Sequence, residues 1–238
     1  LDLNVTFRDT AEGAMIAMWN DSLNIVGSVT FDGNTSNPRR LNVGDAGATG
    51  VPQDVDSFIE RIFQDSPLDG LVNNAPSIHI GKIVDLDLAA WRTNFKANLD
   101  AVFLATKTVL PWMIDAKKGS IVNVASVVGL KGVAYMSAYG AAKAGLINFS
   151  RASAVEAAPF VRVNCIIPGA VLTPATERAI PDEAIMEATI KTIPLKRIAQ
   201  PVELASPIAF LLSSDSSFVT GASLVVDGGK TADLNAGN

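Results

Sequence analysis

Cysteine and histidine occur once each in this 238-residue chain, as Cys165 and His79. A lone cysteine forms no intramolecular disulfide and no multi-cysteine zinc site. A lone histidine removes His-rich metal sites and leaves a Ser–His–Asp hydrolase only His79 as its base. Charge is sparse too: 18% of residues are charged and the formal net charge is −5. That balance argues against nucleic acid, whose binders concentrate Lys and Arg. No uncharged apolar run approaches the roughly 18 residues of a membrane span, and Leu1-Asp2-Leu3-Asn4 shows no basic, then apolar, leader pattern. The expected location is cytoplasmic, with no membrane partner. What the chain does have is apolar mass, 48% of its residues, which excludes dominant disorder and provides for the core of one domain.

Short β-branched runs alternate with helical patterns, the signature of a parallel α/β sheet. Strands are predicted at Leu3–Phe7, Asn24–Phe31, Arg40–Val43, Gly70–Asn73, Ser120–Val124, Arg162–Ile167 and Ser223–Val226. Helices are predicted at Ala11–Trp19, Val55–Phe63, Leu88–Met113, Ser137–Ala157, Asp182–Thr192 and Val202–Leu212, with Pro207 expected to bend or break the last. Only eight residues separate Phe31 from Arg40, too few for a crossover helix, which needs about 10–12 residues.

Chemistry concentrates in the middle of the chain. Tyr139 and Lys143 lie four apart and share one helical face, where an ammonium beside a phenol is expected to lower the phenol's pKa. Ser126 follows a predicted buried strand, which puts its hydroxyl at the carboxyl edge of the sheet, where open α/β sheets bind ligands. Taken alone, Tyr-x-x-x-Lys is a pattern any helix can contain. A serine at a strand end 13 residues upstream makes it a constellation suited to polarising a carbonyl or deprotonating an alcohol.

This constellation resembles the short-chain dehydrogenase/reductase family, and further matches run in order along residues 68–229. They are Leu68-Asp-Gly-Leu-Val-Asn-Asn-Ala75, Trp91 with Asn98, Arg162 through Thr173, Pro194 through Glu203, and Phe218 through Gly229. The resemblance implies a single Rossmann-like domain over 1–238, with a doubly wound parallel sheet in three αβα layers. It implies an oxidoreductase interconverting a carbonyl and a secondary alcohol, with Tyr139 as general acid/base. Lys143 would tune Tyr139 and bind the nicotinamide ribose, Ser126 would orient the substrate oxygen, and Asn98 would hold a relay water. Asn74, Val171 and Thr173 would line the dinucleotide. Simpler readings stand beside these: a helix-kink amide for Asn98 and a loop hydroxyl for Thr173. The segment 170–200 would cover the substrate. The apolar residues of Thr173–Lys191 fit a hydrophobic ligand or the buried face of a helix equally. The family's paired long helices imply a homodimer or homotetramer.

The cofactor side, residues 1–50, departs from the family pattern. Against its Thr-Gly-x-x-x-Gly-x-Gly loop stands Thr6-Phe-Arg-Asp-Thr-Ala-Glu-Gly13, which keeps only Thr6 and Gly13. Phe7 places a ring, and Asp9 and Glu12 negative charge, towards a phosphate site. Asn42, before Val43, stands where an aspartate usually holds adenine, and Pro76 replaces a glycine. Asp32 lies 19 residues after Gly13, where an acidic residue favours NAD over NADP, although Asp32-Gly33 is equally a turn dipeptide. His79 reads as a loop residue near the substrate path. Two alternatives follow: a cofactor-independent enzyme, lyase- or dehalogenase-like, on the same scaffold, and a non-catalytic subunit. Retention of Lys143 favours the NAD(P) oxidoreductase, with NAD the expected cofactor. No metal is expected.

Overall fold

The computed structural model describes residues 6–7, 14–18, 30–31, 68–74, 76–173, 176 and 182–233. Strand β1 is Thr6–Phe7, β2 Ala14–Met18, β3 Thr30–Phe31, β4 Leu68–Asn73, β5 Gly119–Val124, β6 Val161–Pro168 and β7 Ser223–Val226. Five of these form one parallel sheet in the order β2-β4-β5-β6-β7, and β1 pairs with β3 in a separate two-stranded parallel sheet. The helices are α1 Leu88–Phe95, α2 Ala101–Asp115, α3 Ser137–Ala157, α4 Glu183–Lys191 and α5 Pro201–Leu212.

Alternation along the strands divides the core into layers. Leu71, Ile121 and Val163 pack under α2 and α3 against Ala105, Val109, Met113, Ala154 and Ala157. Val72, Val122, Val124 and Ile166 turn to the other face and meet Ile208 and Leu211 of α5. Both sheet faces are thus covered, which is why the strands read as near-continuous apolar runs. The result is the expected Rossmann-like three-layer arrangement.

Three expectations need correction. The predicted helix Ala11–Trp19 is wrong where it is described, because Ala14–Met18 is a strand paired in parallel with β4. A short apolar run carries no periodicity that separates a buried strand from a buried helix, and here pairing decides. The predicted helix Leu88–Met113 is interrupted by a π-turn at Lys96–Asp100, and the helical path resumes to Asp115. Pro207 neither breaks nor ends α5, which runs unbroken from Pro201 to Leu212. A proline inside a helix forfeits one backbone hydrogen bond at about 3 kcal/mol, and burial of Leu204, Ala205, Ile208 and Leu211 offsets it. The predicted Arg40–Val43, Val55–Phe63 and most of Leu3–Phe7 and Asn24–Phe31 lie outside the described residues, as does the short Phe31–Arg40 connection.

Candidate active site

The described candidates gather where the parallel strands end. Asn74 follows β4, Ser126 stands two residues past β5, and Val171 and Thr173 follow β6. Helix α3 brings Tyr139 and Lys143 to the same edge from above the sheet. Ser126 is extended (φ −165°, ψ 152°), and its Oγ accepts from Val128 N at 3.3 Å, opening the tight turn Val127–Gly129. That turn lies directly on α3. A Cβ at Gly129 would stand 2.8 Å from the Lys143 carbonyl carbon, and one at Gly140 3.1 Å from Val128 O. These two glycines set how closely Ser126 approaches the helix carrying Tyr139 and Lys143.

Tyr139 and Lys143 are both buried. Lys143 Nζ donates to Val124 O at 2.8 Å and lies 5.7 Å from the centroid of the Tyr139 ring. Burial pushes the Tyr139 phenol up to about 12, and a hydrogen bond with the Ser126 side chain draws it partly back. Burial also lowers the Lys143 ammonium to about 8, while the neighbouring Cys165 pulls it slightly upwards. The sequence led us to expect a phenol lowered by its lysine. Loss of water outweighs any such attraction, and Ser126 is the group that eases ionisation.

Asn98 sits in the π-turn, fully buried. Its Nδ2 donates to Ser77 O at 2.7 Å and to Asn94 O at 2.8 Å, and its Oδ1 finds no donor among the described residues. The π-turn therefore aims one open acceptor into the interior beside α3. Thr173 is buried, and its Oγ1 accepts from Thr176 N at 3.1 Å and lies 3.0 Å from Thr176 Oγ1. Thr176 in turn donates to Val171 O at 2.7 Å, and Leu172 N donates to Ala199 O at 2.8 Å, which ties this loop down. His79 is exposed, with its backbone N donating to Asn94 Oδ1 at 3.4 Å. Thr6 lies in β1, while Gly13, Asp32, Asn42 and Val43 are outside the described residues.

The described part of the site fits the nicotinamide-ribose end of a dinucleotide. Lys143 makes one hydrogen bond, to Val124 O, so two of its N–H donors lack a protein acceptor among the described residues. A buried ammonium left so is costly unless a ligand such as a vicinal diol accepts from it. Among the described residues no group of three or more His, Cys, Asp or Glu could hold a metal.

Sequence reasoning missed several participants. Gly129 was readable as the last residue of a Ser-x-x-Gly turn after a strand. Asn73 lies within the matched segment Leu68–Ala75, but its buried hydrogen-bonded chain with Asn123 and Ser150 was not readable, because the three lie on different elements and no spacing marks them.

Known proteins resemble this one over most of the chain. The family profile described as enoyl-(acyl carrier protein) reductase matches residues 46–231. A cyclopentanol dehydrogenase from a Comamonas species is 41% identical over 176 residues, covering 73% of this chain and 70% of that protein. A 3-oxoacyl-[acyl-carrier-protein] reductase from Thermotoga maritima is 39% identical over 194 residues, covering 81% and 76%. Among solved structures, levodione reductase superposes with a TM-score of 0.73 at 32% identity, covering 77% of this chain and 74% of that one. ElxO, solved with NADP bound, gives a TM-score of 0.73 at 27% identity, covering 79% and 78%.

Proposed function

The chain belongs to the short-chain dehydrogenase/reductase family and is an oxidoreductase of that type, and from this premise we propose that it interconverts a carbonyl and a secondary alcohol using NAD(P), with Tyr139 as the general acid/base. The observation that carries the reading is the convergence of Ser126, Tyr139 and Lys143 at the carboxyl edge of the sheet. A bound dinucleotide supplies the hydride acceptor or donor. Everything else falls to the chain's own side chains.

Ser126 orients the substrate oxygen and shares its hydroxyl hydrogen bond with the phenol. Tyr139 gives its proton to that oxygen in reduction and takes one in oxidation, with the developing phenolate stabilised by Ser126 and by the Lys143 ammonium. The two spare donors of Lys143 would hold the nicotinamide ribose, and Asn74, Val171 and Thr173 would line the same end. Asn98 holds a water on its open Oδ1, which carries protons between Lys143 and solvent. NAD would be the preferred cofactor through Asp32, and Thr6, Gly13, Asn42 and Val43 are the further residues that the family resemblance assigns to holding it. The oligomer is a dimer or tetramer built on α2 and α3, whose outer faces expose Phe103 and Val155.

The test is a titration with NADH and with NADPH, followed by melting temperature, in the parent and in Tyr139→Phe. A nucleotide at a hundredfold excess over its Kd stabilises the fold by about 2.7 kcal/mol. Parent and variant should both be stabilised, NADH more than NADPH, and only the parent should turn over a ketone. No stabilisation by millimolar nucleotide, or appreciable turnover by Tyr139→Phe, would refute the reading.

A further inference from the structure

The face of the sheet beneath α3 should be apolar, yet a polar row crosses it. Asn73 on β4, Asn123 on β5 and Cys165 on β6 are register partners, side by side across three central strands. All three are buried, and Asn123 and Cys165 expose no surface. Asn73 Nδ2 donates to Asn123 Oδ1 at 2.8 Å, Asn123 Nδ2 donates to Ser150 Oγ at 2.9 Å, and Ser150 Oγ donates to Leu146 O at 2.8 Å. Burying two amides costs far more than burying two valines would, so this chain is an expensive way merely to fill space.

What it joins is informative. Asn123 and Val124 are consecutive on β5. Val124 O receives Lys143 Nζ, and Asn123 Nδ2 reaches Ser150, seven residues further along α3. Seven residues make two helical turns, so Lys143 and Ser150 lie on one face about 10 Å apart. Helix α3 is therefore pinned to β5 at two points, one at the reacting end and one deeper in the core. Apolar packing of Leu146 and Ile147 between those points gives adhesion but little resistance to sliding or rotation. Directional hydrogen bonds give both.

We propose that Asn123 and Ser150 are positioning residues, which fix the depth and rotation of α3 on the sheet so that Lys143 meets Val124 O and Tyr139 stands against Ser126. Asn73 holds the Asn123 amide in the orientation that presents its N–H groups to Ser150. The proposal rests on the roles given above to Tyr139 and Lys143. Among the described residues, the titratable groups bearing on Lys143 are Tyr139 on its own helix and Cys165 from β6, with Arg151 acting on Cys165. Strand β5 and the turn Val127–Gly129 present no charged side chain.

The experiment compares Ser150→Ala and Ser150→Thr with Ser216→Ala, which removes another buried serine hydroxyl at the far end of α5. Lys143 is titrated by NMR of carbon-13-labelled lysine and identified by the signal lost in Lys143→Arg. In the parent it should titrate near 8. In Ser150→Ala the loosened helix admits water, and the midpoint should rise by about half a unit or more. Turnover of a ketone should fall about tenfold in kcat with KM nearly unchanged, and Ser150→Thr should restore both readouts. Ser216→Ala should lower the melting temperature and leave both readouts where they were. Should Ser150→Ala fail to fold, Ser150→Cys, close in shape and a weak acceptor, is measured the same way. A Lys143 midpoint unmoved by loss of the hydroxyl, or moved equally by Ser216→Ala, would overturn the proposal. The lysine titration needs no substrate, so a parent without turnover counts against the proposed function alone.

Discussion

Lys143 carries an ammonium to a place water does not reach, with one carbonyl for a hydrogen-bond partner. Its pKa in the fold, about 8, lies below its ordinary 10.5, so protonation favours the unfolded chain. The cost of keeping it charged is full below pH 8, falls as pH rises, and is gone above 10.5. Lys143→Met should therefore abolish turnover and raise stability at pH 7 by on the order of 1–3 kcal/mol. The gain should shrink above pH 8 and vanish above 10.5, which denaturant melts of both proteins across that range would show. An equal gain at all pH values would mean that the methionine merely packs better. Tyr139 works in the opposite direction. Its pKa in the fold is raised to about 12 from 10.0, so its contribution is complete below pH 10 and lost as pH rises through 12.

Elements differ in how plainly the sequence announces them. Helix α3 was legible end to end, Ser137–Ala157, because 21 residues give several turns of consistent periodicity. Strands β5 and β6 were legible to within a residue at either end, since β-branched runs between turn signals leave little choice. The π-turn at Lys96–Asp100 was not, because one extra residue in a helical turn leaves no trace in composition, and Asn98 acquires its two carbonyl partners only once the turn exists. Ser126, Tyr139 and Lys143 were legible through spacing within one helix and its preceding strand. The Asn73–Asn123–Ser150 chain was hidden because it is assembled by strand register. Arg162 is a similar case: it read as the first residue of a strand, and the fold makes it the cap of a helix. Its guanidinium donates to the carbonyls of Leu211, Leu212 and Ser213 where α5 ends, and to Ser216 Oγ, at 2.7–3.3 Å. No carboxylate is among these partners, and the planar fork matches the splayed carbonyls in a way an ammonium does not. Arg162→Lys should accordingly cost about 1–2 kcal/mol in denaturant unfolding, with turnover per folded molecule unchanged.

At the scale of the whole molecule, the question is what the outer faces of α2 and α3 are for. The inner faces are fully used: Ala142 and Leu146 are buried, and a Cβ at Gly145 would stand 3.1 Å from Leu99 Cδ2. Those small residues serve packing within the chain. Outward lie Val155, 80% exposed, and Phe103, 47% exposed, whose ring meets Phe149 edge-on at 6.3 Å and lies 6.0 Å from Lys107 Nζ. No helix among the described residues is long and apolar enough to cross a membrane. A second copy would cover these side chains, because an isologous contact sets the same two helices against their own equivalents and doubles every apolar pairing. Interface energy concentrates in few residues, and a carboxylate forced into a dry contact is heavily penalised. Light scattering should therefore give the mass of a dimer or tetramer for the parent and of a smaller species for Phe103→Glu combined with Val155→Glu. The far-ultraviolet spectra of the two should agree, since both side chains are exposed and neither belongs to the buried core. A parent that scatters as a monomer at micromolar concentration would leave the exposed helix faces without this partner.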